Sequence, residues 1–230
     1  MLKEKLEDYI GYNFKDTSLL ELAITHPSFA REQATPDLNY QRLEFLGDAV
    51  LSCIISESLY NLFPHYREGA MARARSALTK GKFLTQLSKS LHVMDFIRVS
   101  EVEKKAGGNT RNAALEDALE SIIGAIFLDS GFEQTRSVVL NWYGDIDTHL
   151  NELLINENPK GILQEKYPHG SIKYELISES GPPHSRIFCV RLLVNNSIVG
   201  IGVGPTKKEA EEVAAQQALL MEPQQTRPNG

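Results

Sequence analysis

Apolar residues recur at intervals of three and four along most of the first 154 positions, the spacing that turns one face of an α-helix toward a core. The pattern predicts helices over 42–60, 70–90, 112–128 and 133–154. Gly and Pro interrupt it, so "HPSF" at 26–29, "FPHYREG" at 63–69 and "AGGN" at 106–109 read as connections. After the polar stretch "INENPKG" at 155–161 the period changes. "KYELISES" and "RIFCVRLLV" read as strands, and in the second Phe188, Val190, Leu192 and Val194 alternate onto one face. "GPPHS" joins these two, "NNS" leads into a third run, "IVGIGVG", and "TKKEAEEVAAQQALLM" closes the set as a helix. With a short helix at "ILQEKY" in front, the order is helix, three strands, helix. The predicted architecture is an all-α domain at 1–154, a linker at 155–160, a small α+β domain (α-β-β-β-α) at 161–222 and a disordered tail at 223–230.

Composition narrows the setting. A chain of 230 residues with 42% hydrophobic content can fill a real core. Apolar runs of membrane-spanning length are missing, and the N-terminus alternates charge with apolar residues, so we expect a soluble protein with no membrane association and no signal peptide. Cys53 and Cys189 lie far apart in apolar segments, which suggests neither a disulfide framework nor a thiolate metal site and fits a reducing cytoplasm. The net charge of −6 argues against polyanion binding on average, because phosphate affinity comes from Lys and Arg. Binding of a polyanion would have to rely on local basic patches or on bound metal.

One constellation carries chemistry. In "RLEFLGDAVLSCII", Leu43, Leu46, Val50 and Ile54 make an apolar stripe, while Glu44 and Asp48 share another face one turn apart. A solvated acidic face would tolerate that pairing at a few tenths of a kcal/mol, roughly. A second helix repeats the theme: "LEDALESIIGAIFLD" holds Asp117 and Glu120 beside the stripe Leu115, Leu119, Ile122 and Ile126. Gly47 and Gly124 stand next to the acids, and a helical glycine costs about 1 kcal/mol relative to alanine. Close approach of the two backbones is the evident compensation. Helices crossing there would bring four carboxylates together, and these would hold one another protonated unless cations lay between them. Oxygen ligands without His or Cys point to Mg²⁺, with Mn²⁺ as a substitute, and to in-line displacement at phosphorus. No small-molecule cofactor is suggested.

These stretches resemble the ribonuclease III family: "QRLEFLGDAVL" is similar to its signature, "REGAMARARSAL" to its Glu-Gly element and "LEDALESIIGAIFLD" to its second acidic helix. The resemblance runs to about residue 222 and includes a C-terminal double-stranded-RNA-binding domain. It implies a helical endonuclease domain that works as a homodimer and cuts both strands of duplex RNA. The products would carry 5′ phosphates, 3′ hydroxyls and short 3′ overhangs, with ribosomal RNA precursors and structured messages as substrates. Glu44, Asp117 and Glu120 match the family's metal ligands, and Asp48 matches an acid that holds metal or activates water. Glu68 matches a further catalytic carboxylate of the cleft, although a first-turn acid complementing a helix dipole explains it as well. Phe45 matches an aromatic knob at the dimer interface, and core packing is its alternative. Gln41 stands where many members carry a glutamate, and a neutral amide adds neither a base nor charge for a second ion.

In the α+β domain, Thr206 and Glu209 form a Thr-x-x-Glu capping box with Lys207 and Lys208 between them. Cations at a helix N-terminus oppose the macrodipole, which makes sense if a phosphate is to be seated there; two solvated lysines are the alternative. The resemblance assigns Gln164 and Glu165 to one minor groove of duplex RNA, His184 to the next, and Lys207 and Lys208 to the phosphates between. Glu211 takes a place where many such domains have a third basic residue. The loop "EKKAGGNTRN" offers Lys104, Lys105 and Arg111 either to RNA or to solvent. A non-catalytic RNA-binding protein of the same fold, and an acidic helical scaffold unrelated to RNA, are the competing functions.

Overall fold

The computed structural model describes residues 2–64, 66–157, 159–182 and 185–221, with no side-chain description at 2–5, 151, 152, 154, 156, 157 and 165. The chain divides into two compact units, Met1–Asp147 and Thr148–Gly230, upstream of the boundary expected at 154. The tail expected to be disordered lies outside the described residues.

Residues spaced at three and four do form helices in the first unit: α1 (Leu2–Ile10), α2 (Thr17–Ala23), α3 (Pro27–Glu32), α4 (Gln41–Leu62), α5 (Glu68–Thr79), α6 (Gly81–Ser90), α7 (Glu101–Lys105), α8 (Asn112–Ser130) and α9 (Phe132–Tyr143). The helix α10 spans Ile146–Glu157. Two predicted long helices are broken. Lys80 is extended and Gly81 has φ +60, which separates α5 from α6; Gly144 has φ +58 and ends α9. Both glycines take a left-handed conformation that a side chain would disfavour.

Four expected connections are partly helical, the stretch 63–69 because Glu68 and Gly69 already belong to α5. Pro27 opens α3, where a missing N–H is no loss, and the His26 Nδ1 accepts from the Ser28 N–H at 3.0 Å to cap it. The loop at 106–109 follows α7 and runs into a 3-10 turn at Gly108–Thr110. The expected linker is helical through Glu157, and Pro159 starts α11 (Pro159–Lys166).

The helix α8 is the axis of the first unit. Leu115, Ala118, Leu119, Ile122, Ile123, Ala125 and Ile126 are all fully buried, so apolar side chains surround it and α2, α4, α6 and α9 pack against it. Its most extensive partner is α4, which contributes Leu51, Ile54, Ile55 and Leu59 to the core. At the far end, Asp129 pins the N-terminal loop by accepting from the Tyr12 hydroxyl and from the Lys15 and Asp16 amides at 2.5, 3.0 and 2.9 Å.

The second unit is an antiparallel sheet in the order β1-β2-β3, made by Ile172–Ser180, Ile187–Val194 and Ser197–Gly204, with α12 (Lys207–Met221) packed on it. Val190, Leu192 and Val194 face the helices as their alternation predicts. A Cβ on Gly202 would stand 2.0 Å from the Ala210 carbonyl, so the glycines of β3 admit the Ala210, Ala214 and Ala218 face of α12 directly onto the strand. Asn195 and Asn196, both left-handed (φ 50 and 64), make the tight β2–β3 turn. Among the described residues no helix is long and apolar enough to cross a membrane.

Candidate active site

Where α4 crosses α8, the two backbones touch. A Cβ built on Gly47 would lie 1.7 Å from the Glu120 carbonyl oxygen, and one built on Gly124 would lie 2.2 Å from the Leu43 carbonyl oxygen. Any larger residue would drive the helices apart. The paired glycines therefore fix the crossing at the turns that carry Glu44, Asp48, Asp117 and Glu120.

Glu44 and Glu120 sense the charges of the neighbouring acids. Glu120 is 8% exposed, and its carboxyl is pushed up to about 8, first by burial and then by the charges of Asp48, Glu116, Asp117 and Glu44. Glu44 is raised by burial, then by Asp117 and Asp48. Asp117 is raised by burial and by Glu116, against a lowering hydrogen bond from the Tyr40 hydroxyl at 3.2 Å. Glu116, which sequence reasoning missed, accepts from the Gly81 N–H at 2.8 Å and ties the start of α6 to α8. The link spans 35 residues, so no local pattern announces it.

The two helices touch at the glycines, but the side-chain oxygens are not drawn into a cage. Among the described residues, no three His, Cys, Asp or Glu side chains are arranged to hold a metal ion. Mutual repulsion gives the physical reason: four like charges approach closely only when protonated or neutralised by a cation. The donor set fits a hard divalent cation, since it is all carboxylate and sits where burial penalises uncompensated negative charge.

Beside Asp48 lies a cavity of about 410 Å³ between α4 and α5, lined by Asp48, Ala49, Ser52, Ala72, Arg75, Ser76, Thr79 and Lys80. Arg75 and Lys80 line it together with Asp48. Glu68 is not brought to the four: it is exposed as the first residue of α5, and it is not among the charges acting on Glu44, Asp117 or Glu120. Gln41 is exposed at the start of α4. Phe45 is 82% exposed, which removes core packing within this chain as its explanation. Arg111 is bound to Glu103 at 2.7 Å, so the basic loop before α8 is less free than its composition suggests; Lys104 and Lys105 form the last turn of α7.

In the second unit Gln164 is exposed on α11. The side chain of Glu165, and His184 altogether, lie outside the described residues. Lys207 and Lys208 are exposed at the start of α12, and the Thr206 hydroxyl accepts from the Glu209 N–H at 3.2 Å as the capping box requires. Lys208 is 3.9 Å from Glu212, a weak solvated contact. Glu211 has a structural explanation: it pairs with Lys160 at 2.5 Å, and the Lys160 ammonium lies 4.7 Å from the centre of the Tyr174 ring. The acid clamps α11 to α12.

Comparison with known proteins gives this arrangement its class. Residues 16–145 match the family described as Ribonuclease-III-like, and residues 159–221 match the double-stranded RNA binding motif. Ribonuclease 3 of Carboxydothermus hydrogenoformans is 39% identical over 218 residues, covering 93% of each chain. Ribonuclease 3 of Pseudomonas fluorescens is 40% identical over 222 residues, 94% of this chain and 93% of that one. The solved nuclease domain of ribonuclease III from Campylobacter jejuni, described with a flexible region involved in dimer formation, is 41% identical. It superposes with a TM-score of 0.58 over 64% of this chain and 96% of its own. The chain belongs to the ribonuclease III family.

Proposed function

We propose that this protein is a divalent-metal-dependent endoribonuclease of double-stranded RNA. The observation that carries the proposal is the backbone contact at Gly47 and Gly124, which brings together the helix turns that bear Glu44, Asp48, Asp117 and Glu120. Glu44, Asp117 and Glu120 would hold the ion, Mg²⁺ or in its place Mn²⁺. When bound, such a cation supplies Lewis-acid stabilisation of charge on a phosphodiester and raises the acidity of water. Asp48, which lines the 410 Å³ cavity, would accept the proton of the attacking water at a carboxylate oxygen. Arg75 and Lys80 on the cavity wall suit the approach of a phosphate. Glu68, the further catalytic carboxylate that the family resemblance implies, starts the helix on this wall.

Hydrolysis of the P–O3′ bond would leave a 5′ phosphate and a 3′ hydroxyl. Two copies joined through the exposed Phe45 would cut both strands and leave short 3′ overhangs. The second unit would seat the duplex through Gln164, Glu165 and His184 in the minor grooves and through Lys207 and Lys208 on the phosphates, reading A-form shape more than sequence. Precursors of ribosomal RNA and structured messages in the cytoplasm are the natural substrates.

A labelled RNA duplex incubated with protein and Mg²⁺ tests the proposal, with EDTA and Glu120→Gln as controls. Cleavage that needs metal and is lost in Glu120→Gln supports it. Intact duplex that nonetheless binds wild-type protein would instead identify a non-catalytic RNA-binding protein.

A further inference from the structure

Tyr40 is a large polar side chain left unexplained by the fold alone. It is 2% exposed, and its hydroxyl donates to Asp117 Oδ2 at 3.2 Å across 77 positions of sequence. Among the described residues it is the hydrogen-bond donor that the rest of the chain offers to that carboxylate. The ring is fixed on several sides. Its backbone N–H donates to the Thr25 carbonyl at 3.0 Å, and its own carbonyl accepts from the Leu43 and Glu44 amides at 2.9 Å. His26 meets the ring edge-on at 5.7 Å, and His26 is itself held by its N–H to the Arg98 carbonyl at 3.0 Å.

We propose that Tyr40 is a positioning residue that holds the Asp117 carboxylate in one orientation and thereby sets the affinity of the acidic site for a divalent cation. The inference rests on the metal-site reading above. A phenol suits the task because it donates without cancelling charge, whereas Lys or Arg at this place would neutralise the carboxylate that the cation needs. Partners that orient a metal-binding carboxylate in this way typically change metal affinity about 10- to 100-fold when removed.

Calorimetric titration with Mn²⁺ compares wild type, Tyr40→Phe, Asp117→Asn and the double variant, beside duplex-RNA affinity in EDTA and thermal unfolding. Tyr40→Phe keeps the ring, so folding and RNA affinity stay close to wild type while the Mn²⁺ dissociation constant rises about 10- to 100-fold. The Mg²⁺ concentration for half-maximal cleavage shifts by the same factor, and the rate recovers at saturating Mg²⁺. In the Asp117→Asn background the Tyr40→Phe effect on Mn²⁺ disappears. Wild-type Mn²⁺ affinity in Tyr40→Phe, or an equal loss in both backgrounds, would overturn the positioning role and leave the site standing. Wild-type protein that binds no Mn²⁺ would overturn both.

Discussion

Replacing Gly47 with alanine adds one methyl group at the helix crossing, and two opposing effects can be weighed. Alanine favours a helix over glycine by about 1 kcal/mol, so at an open position the change stabilises. At Gly47 the new carbon would stand 1.7 Å from the Glu120 carbonyl oxygen and 2.9 Å from the Gly124 nitrogen. Both obstacles are backbone, with no rotamer to swing aside, so α4 and α8 must separate by roughly the missing 1.5 Å of an ordinary contact. Overpacking of this kind costs about 1–3 kcal/mol, and more when backbone must move. With backbone on both sides the cost stands at or above the upper end of that range, so the expected balance is a net loss of about 2 kcal/mol or more, a fall in the melting temperature of the nuclease unit of about 4–8 °C or more. Activity should suffer more than stability, because displacing reacting groups by about 1 Å costs on the order of 100-fold. Gly69→Ala on α5 is the control, since its Cβ would meet only the Arg73 Nη1 at 3.7 Å. Thermal unfolding, Mn²⁺ titration and duplex cleavage of the two variants together make the assay. A Gly47→Ala protein as stable and as active as Gly69→Ala would refute the close-contact argument.

Three further outcomes follow from the site and from the RNA-binding unit. Because Glu120 ionises near 8 in the folded chain but near its ordinary 4.5 when unfolded, the folded state binds the extra proton between those values. Stability in EDTA should fall as pH rises from 5.5 to 8.5, by about 3 kcal/mol at most from this group. His26, lowered by burial, contributes the opposite slope near pH 6.5, so the wild-type minus Glu120→Gln difference in urea midpoints isolates the acid; equal slopes would refute its burial. Lys207→Ala with Lys208→Ala should weaken duplex RNA binding uniformly across sequences and reduce the slope of log affinity against log salt by about 2, and an unchanged slope counts against phosphate contacts. Phe45→Ala should shift a dimer toward monomer in sedimentation while leaving unfolding nearly unchanged, because an 82% exposed ring adds little to its own core; a large loss of monomer stability would contradict this.

Much of the site was legible in the sequence because two of its features are locally unfavourable. Glycines inside apolar helices and acids paired on one helix face each work against their own helix, and Gly47 and Gly124 do mark the crossing. The unit order and the strands were legible from period alone, down to the inward Val190, Leu192 and Val194. What stayed hidden depends on partners distant in sequence. Tyr40 could not be linked to Asp117, nor Glu116 to Gly81, by any spacing rule. Glu211 looked like a lost RNA contact until its pairing with Lys160 appeared. The breaks at Gly81 and Gly144 escaped notice because apolar spacing resumes at once on the far side of a single left-handed residue.

The central claim is that carboxylates from two touching helices hold a divalent cation, although no three of the described side chains are yet arranged around one. Anomalous diffraction from crystals grown with Mn²⁺ tests it most directly. A strong peak is expected between α4 and α8 within coordinating distance of Glu44, Asp117 and Glu120, lost in Glu120→Gln crystals. No peak at saturating Mn²⁺, or one held by other residues, would contradict it.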